Sequence, residues 1–536
     1  MHRIIIIPFL VLFCHAINAQ ISTEEIPYSW ESSRGERLKQ AMPVERLPNL
    51  DMRAIDQEDL KNEDFSNTPI RFGFAHDVNF DLSNSGTWQT TSDGGRLWNL
   101  RIYSPDALSL NLLYDKFWLP HGAKFFIYSE DKKQHIGAFT SDNNQGDRDS
   151  IMGFATSFLF TNSIILEYYE PKEVEDKGVI SIIQVISGYR YIYDVVGREQ
   201  LRHNNTEFDC HNDINCIGGI NFQSEKNAVA YMVMGMYICT GALLNTTAND
   251  NRPVFLSADH CFNTSASTTQ WIFYWNYEAP PCTGWMESQS PVAVNPAPNR
   301  STVGAKILAR RAETDFMLLE LIGDPAMNSN IDVYYLGWDR TVSSRPSGFC
   351  IHHPRGAQKK ISLSGVGIEN FRHSIKWDNG VTTPANTHWE VCFTVGTVEG
   401  GSSGAPLLNG DKRVMGQLHG GGRGCPDNKC ISMYYGRFDL SWNGGGTSST
   451  RLRDWLDPLG TNPMSLNGIN ACPPVLNFTN QIITTNRTIT NSCGDINVQN
   501  VKVRNGAKLI FDAAGEVNII SDFDVELGSQ FEILKP

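Results

Sequence analysis

The sequence predicts an all-β protein built from several units, and three observations carry that expectation. Residues 206–470 alternate short apolar runs with Gly, Asn and Pro turns and show almost no helical periodicity. Residues 20–205 contain runs of β-branched and aromatic residues separated by polar Asn/Asp/Gly segments. Residues 474–536 repeat short alternating runs at near-even spacing. At 536 residues the chain has room for about three to four domains of ~100–200 residues each.

In chain order, Met1-His2-Arg3 followed by the apolar run Ile4 to Phe13 and small residues ending at Ala19 reads as a signal peptide, residues 1–19, with Ile17 at the minus-three position. The expectation is export to an extracellular or cell-surface location. The apolar run is too short for a hydrocarbon core of ~30 Å and no later run is longer, so no membrane span is expected. Strand-like runs in 20–205 include Lys124 to Tyr128, Ser163 to Tyr169 and Ile180 to Val185, which make this block a β-rich globular region. The polar stretch Gly197 to Asp209 reads as an exposed linker of the kind that processing enzymes cut. Within 206–470 only Ser448 to Leu456 suggests a helix, a short one at the end of the unit. After Pro473-Pro474 the runs Ile482 to Thr490, Asn497 to Val503, Lys508 to Phe511, Val517 to Ile520 and Phe523 to Leu527 suggest a small β-solenoid or sandwich at 474–536.

Composition narrows the function classes. With 19% charged and 41% apolar residues the chain is expected to fold, and a formal net charge of −13 argues against a grip on nucleic acid or anionic lipid. Of twelve cysteines, Cys14 lies in the leader, leaving Cys210, Cys216, Cys239, Cys261, Cys282, Cys350, Cys392, Cys425, Cys430, Cys472 and Cys493. Disulfides are the default in an exported chain, and the spacing gives no compact Cys/His zinc cluster. An odd number leaves at least one thiol unpaired. No metal or cofactor is expected: no His-Glu-x-x-His pattern supports a metallopeptidase and no acidic loop argues for calcium.

Three separated strings carry chemistry. Val254 to Cys261 is an apolar strand ending in His260 beside a cysteine, and a Cys239–Cys261 bridge would pin it to the strand that begins at Cys239. Thr314-Asp315 opens the apolar run Phe316 to Leu319; an Asp there is more often a turn residue, and only its place in the series raises it. Glu399-Gly400-Gly401-Ser402-Ser403-Gly404-Ala405-Pro406 is the most specific, because glycines around Ser403 let the backbone turn sharply and aim the amides of Gly401 and Ser403 at one point. A flexible Gly/Ser linker is the bland alternative, but linkers are not followed by Pro406-Leu407-Leu408 and a further strand, Val414 to Leu418. A hydroxyl, an imidazole, a carboxylate and paired amides are what serine-based peptide hydrolysis requires.

Residues from about Cys210 to Leu459 resemble the trypsin/chymotrypsin-like serine proteases, and most closely the bacterial lysyl endopeptidases. The resemblance lies in Leu256 to Cys261, Tyr274 to Tyr277, Thr314 to Leu321, Gly337 to Arg340, Ile351 to Pro354, Gly416 to Gly421 and Tyr435 to Arg437. It implies a serine endopeptidase at 206–470 with two six-stranded antiparallel β-barrels and the site between them. His260 is then the general base and acid, Asp315 the orienting carboxylate, Ser403 the nucleophile, and Gly401 with Ser403 the oxyanion donors. It further implies Trp377 stacked on a second histidine, His419, and a substrate-flanking strand over Gln417 to Gly420, including Leu418. The bridges implied are Cys210–Cys425, Cys216–Cys282 and Cys239–Cys261. Cys430 lies five positions after Cys425, so either can partner Cys210; Cys350–Cys392 is expected as a further pair, and Cys472 and Cys493 can pair in the tail.

The pattern departs at the primary pocket, where the family's Ser-Asp-x-Tyr-Gly-Arg reads Ser432-Met433-Tyr434-Tyr435-Gly436-Arg437. A buried ammonium facing the Met433 thioether would lack its counter-charge at a cost of several kcal/mol. Thr397 stands six positions before Ser403, where trypsin carries its charge, which leaves Glu399 as the acid beside the pocket. Two expectations follow: a residual Lys/Arg preference through Glu399, or cleavage after a larger apolar residue resting on Met433. The block 20–205 resembles bacterial protease prodomains at Gly122 to Ser129 and Leu166 to Pro171, which implies a propeptide that silences and helps to fold the enzyme. Protein or peptide substrates and the chain's own propeptide are the expected partners. The competing reading is a catalytically weak adhesion or binding protein on a protease scaffold.

Overall fold

Strands that recur every few residues with glycine bends between them can close a sheet on itself, and this chain does so twice. The computed structural model describes residues 25–30, 42–63, 68–190, 210–262, 265–282, 284, 287–290, 294–377, 380–422, 424–425, 431–471, 475–491 and 493–534. The leader 1–19, the linker stretch 197–209, Cys430 and Cys472 lie outside the described residues. In the first barrel, Val229–Met234, Tyr237–Leu243, Val254–Ala258 and Phe316–Leu321 pair in that order, all antiparallel. Ala305–Arg311 continues from Phe316–Leu321, and Ile272–Tyr274 lies on the far side of Val229–Met234. Closure comes from one bent stretch: Ser301–Val303 pairs with Ile272–Tyr274, and after Gly304, at φ +88°, the chain runs on as Ala305–Arg311. A non-glycine residue would be strained at that bend.

The second barrel uses the same device. Lys360–Ser364, Gly348–His352, Pro406–Asn409, Val414–Gly421, Ser432–Arg437, His388–Cys392 and Ile368–Phe371 follow one another in the sheet. Lys360–Ser364 and Ile368–Phe371 are one stretch bent through Gly365-Val366-Gly367, so it reaches both edges. The short helices Phe438–Asn443 and Arg453–Leu456 follow, the second lying in the region where the sequence predicts one.

The amino-terminal block is β-rich, with a six-stranded sheet that includes Arg96–Tyr103 and Ser163–Glu170 and a four-stranded sheet centred on Ser109–Trp118 and Val179–Gly188. It also contains an unanticipated helix, Met52–Glu63, whose sequence is too polar to show a clear apolar stripe. Every residue of Val229–Met234 is buried, and Tyr231 packs across to His353 at 5.7 Å, while the neighbouring residues Gln270 and Tyr274 meet the amino-terminal block. Phe158 stacks on Tyr274 at 5.7 Å, Ser157 Oγ lies 2.6 Å from Tyr274 Oη, and Gln270 Nε2 donates to the Tyr114 carbonyl at 2.8 Å. Block and first barrel share one continuous hydrophobic core.

The tail is a solenoid rather than a sandwich. Val475–Ile483, Asp495–Val503 and Val517–Val525 stack in parallel, as do Arg487–Asn491, Lys508–Ala513 and Gln530–Leu534. Asn477, Asn497 and Asn518 form a side-chain ladder with 3.3 Å steps. The stretch 482–490 is broken at its middle, whereas 517–525 is one strand.

Cys210–Cys425, Cys216–Cys282 and Cys239–Cys261 are bonded. The expected Cys350–Cys392 pair is not formed. Cys350 is a free thiol, fully buried, and burial pushes it up to about 12, while Cys392 is disulfide-bonded elsewhere. Cys350 points into the second barrel's core beside Tyr435, away from a partner. Among the described residues no helix is long and apolar enough to cross a membrane.

Candidate active site

Strand register brings His260 and Asp315 together. Ala258 lies opposite Phe316 in the antiparallel pair, so the residues just after one strand meet the residue just before the other. Asp315 adopts φ +52°, a turn conformation that Asp tolerates, and its carbonyl accepts the Asp259 N–H at 2.9 Å. Its carboxylate then spans both His260 groups: Oδ1 accepts the His260 N–H at 2.9 Å and Oδ2 lies 2.8 Å from Nδ1. Burial pushes the Asp315 carboxyl above its ordinary range, and the facing imidazole works against that rise. With Nδ1 committed to the carboxylate, His260 Nε2 is left buried and without a hydrogen-bond partner among the described residues.

The Ser403 loop is fastened to the same strands. Thr240 N–H donates to the Ser403 carbonyl at 2.8 Å, and Cys261 Sγ, next to His260, lies 3.8 Å from that carbonyl oxygen. Gly404, at φ +83°, lies so close to the first barrel that a Cβ there would fall 2.2 Å from Ser257 Oγ. Gly401 has φ +90°, and its carbonyl accepts from Thr240 Oγ1 at 2.8 Å. The Gly400 carbonyl is held by the Arg355 N–H at 2.6 Å; because the peptide is planar and trans, the Gly401 N–H faces the opposite way. Among the described residues neither the Gly401 nor the Ser403 N–H donates a hydrogen bond, so both remain open donors. The Ser403 hydroxyl makes no hydrogen bond to His260 Nε2, a contact that in such sites commonly tightens only in the substrate complex.

Two buried histidine relays brace the site; sequence reasoning named His419 in the second but assigned no role to His352 or His388. Ser362 Oγ donates to the Thr397 carbonyl at 2.7 Å, so it accepts from His352 Nε2 at 3.0 Å, and His352 Nδ1 accepts from Ser402 Oγ at 2.8 Å. That chain anchors the residue between the two oxyanion candidates. In the second relay Thr387 Oγ1 donates to the Pro384 carbonyl at 2.7 Å, and hence accepts from His388 Nδ1 at 2.8 Å. His388 Nε2 then accepts the His419 Nδ1 proton at 2.8 Å. His419 also lies 3.6 Å from Asp315 Oδ2, parallel to the His260 ring, and stacks on Trp377 at 3.8 Å. Burial holds His352 and His419 far below the ordinary histidine range and His388 at about 3, so all three are neutral. No motif flags His388, an inward position on an ordinary strand.

The expected pocket residues fare differently. Met433 is buried among Val391, Phe393, Val398, Leu418 and Tyr435, all apolar or aromatic. Glu399 is not open to a substrate cation, because His211 Nε2 lies 2.9 Å from its carboxylate and Arg355 Nε 3.7 Å. Leu418 does not present a free backbone edge either. Its N–H donates to Ala405, its carbonyl accepts from Gly404, and it pairs with Tyr435 on the other side. On this strand the pairing with Pro406–Asn409 ends at Gln417, so Gly420 and Gly421, still paired with Tyr434 and Met433, lie beyond it.

A histidine–aspartate pair beside a glycine-framed serine and two open amides is a constellation with relatives. Residues 204–436 match the family described as lysyl endopeptidase, C-terminal domain. A lysyl endopeptidase of Pseudomonas aeruginosa is 34% identical over 215 residues, which cover 38% of this chain and 43% of that protein. The chain thus matches less than half the length of this relative. Among solved structures, the active form of the Rv3671c protease from M. tuberculosis covers 41% of this chain and 80% of its own at 12% identity and a TM-score of 0.28. A thermostable serine protease, AL20, from an extremophilic microorganism covers 40% and 92% at 10% identity and a TM-score of 0.26. A Glu endopeptidase covers 40% and 85% at 15% identity and a TM-score of 0.24. Likeness at those scores adds nothing to the fold described above.

Proposed function

We propose that this chain is the precursor of an exported serine endopeptidase, with a propeptide at 20–205, a protease unit at 206–470 and an accessory solenoid at 474–536. The observation that carries the reading is the Asp315–His260 hydrogen bond, which commits Nδ1 and leaves the buried His260 Nε2 without a hydrogen-bond partner among the described residues. Ser403 Oγ attacks the substrate carbonyl while His260 Nε2 takes its proton, and the amides of Gly401 and Ser403 stabilise the oxyanion. The imidazolium returns the proton to the leaving amine, and water hydrolyses the acyl-enzyme by the same route. Asp315 holds the imidazole tautomer. A substrate in extended form adds as a strand along His419 to Gly421.

For specificity, the buried apolar surroundings of Met433 and the engagement of Glu399 by His211 favour an apolar residue before the scissile bond over lysine or arginine. Export is supported by the leader-like residues 1–19 and by the disulfides. Mapping the cleavage sites of the processed enzyme in a denatured protein mixture, alongside Ser403→Ala, tests both parts. Cleavage after large apolar residues that disappears in Ser403→Ala is expected. Enrichment at Lys or Arg overturns the pocket reading, and failure of a fluorophosphonate probe to label Ser403 in processed protein overturns the enzyme itself.

A further inference from the structure

One edge of the cleft is already occupied by the chain's own amino-terminal block. Ile70–Arg71 pairs antiparallel with Tyr237–Leu243, Ile70 opposite Ile238 and Arg71 opposite Tyr237, and the Phe72 N–H donates to the Met236 carbonyl at 3.0 Å. That strand runs on into Cys239, whose bridge to Cys261 ties it to the residue after His260. Ile70 is buried, and a Cβ on Gly400 would lie 3.3 Å from its Cβ and Cδ1, so its side chain rests on the loop three residues before Ser403. Pro69 is buried as well. The pairing ends with Ile70 opposite Ile238, two residues before Thr240, whose N–H holds the Ser403 carbonyl, so the strand stops where the Ser403 loop takes over the same edge.

The segment is clamped from behind. Arg71 Nε donates to Asp59 Oδ1 at 2.9 Å and its guanidinium pairs with Glu58 at 3.0 Å. Tyr189 Oη and Arg190 Nη2 each reach Asp59 Oδ2 at 2.7 Å, and the N–H groups of both residues donate to the Phe72 carbonyl. Such a clamp keeps the short strand ordered, so little conformational entropy opposes its seating.

We propose that residues 68–72 are a substrate-like strand that fills the leaving-group side of the cleft by β-addition and keeps the precursor latent. The inference rests on the endopeptidase reading above. Once vacated, the same edge receives an extended peptide with a branched apolar side chain over Gly400.

The test compares the full chain carrying Ile70→Asp or Ile70→Val with the parent before any processing. The readouts are fluorophosphonate labelling of Ser403 and hydrolysis of an internally quenched peptide that extends four residues past the scissile bond. A buried carboxylate against Gly400 should release the strand, so Ile70→Asp is expected to raise the initial rate at least tenfold while Ile70→Val stays latent. Both variants should reach the parent's activity after cleavage within 191–209 and separation of the pieces, which shows that they fold. Should Ile70→Asp reach no activity there, a synthetic peptide of residues 68–75 decides, by inhibiting processed parent enzyme where its Ile70→Asp counterpart does not. Equal latency of parent and Ile70→Asp, with equal activity after separation, overturns the inhibitory strand alone. Absence of Ser403 labelling in the separated enzyme removes the endopeptidase reading and this inference with it.

Discussion

Replacing His388 with asparagine should flatten the acid limb of the protein's stability. His388 is 1% exposed, and burial takes its imidazole from the ordinary 6.5 down to about 3. The unfolded chain therefore takes up a proton near pH 6.5 that the folded chain refuses until about pH 3. Stability from this residue is fully present above pH 6.5 and is lost progressively as pH falls toward about 3, with a slope of about 1.4 kcal/mol per pH unit. The whole shift corresponds to about 5 kcal/mol, and about 2 kcal/mol is already lost at pH 5. His388→Asn also breaks the contacts to Thr387 Oγ1 and His419 Nδ1, which lowers stability by a similar amount at every pH. Urea unfolding between pH 7 and pH 4.5, in a Ser403→Ala background that prevents self-digestion, separates the two effects. The variant should start lower at pH 7 and fall less steeply, by about 1.4 kcal/mol per unit below pH 6. Parallel profiles with a constant offset would refute the reasoning, because His388 would then be titrating alike in the folded and unfolded chain.

Asp315→Asn should lower kcat/KM by roughly 10³–10⁴ with the circular dichroism spectrum unchanged, since an amide facing Nδ1 selects the wrong imidazole tautomer; a loss under tenfold counts against the assigned role. Gly404→Ala should destabilise by more than about 3 kcal/mol in thermal unfolding, because the added methyl meets Ser257 Oγ and the Thr240 carbonyl at a positive φ. Met433→Asp should raise the ratio of lysine to leucine cleavage at least a hundredfold in paired peptide assays by supplying a buried counter-charge. An unchanged ratio would mean that residue 433 does not face the substrate side chain. Removing the Cys239–Cys261 bridge by double Ala substitution should cost about 3 kcal/mol, read as a shift in the urea midpoint, since the loop it closes spans 22 residues.

The strand pattern and the three chemical strings are local properties, which is why they are legible in the sequence. Glycines at 400, 401 and 404 announce a tight turn around Ser403 because only glycine sits easily at the φ values observed at 401 and 404. Apolar runs such as Val254 to Ala258 announce buried strands, and the even spacing after residue 474 announces stacked coils. Helix Met52–Glu63 escaped because its stabilising contacts come from the block it rests on, through Ile55 and Asp59, and not from a periodic stripe. The fate of Glu399 was invisible for a similar reason, as its partner His211 lies 188 positions away.

Residue types, turn chemistry and the order of His260, Asp315 and Ser403 are written along the chain, because each depends on neighbours a few positions away. What only the tertiary structure decided is which buried group answers which: that Glu399 faces His211, that His388 orders the protons on His419, that Cys350 stays a thiol, and that Ile70 lies against Gly400. Those pairings are set by strand register and barrel closure over tens to hundreds of residues. A one-residue change of register would turn every side chain to the opposite face, so no local pattern encodes them.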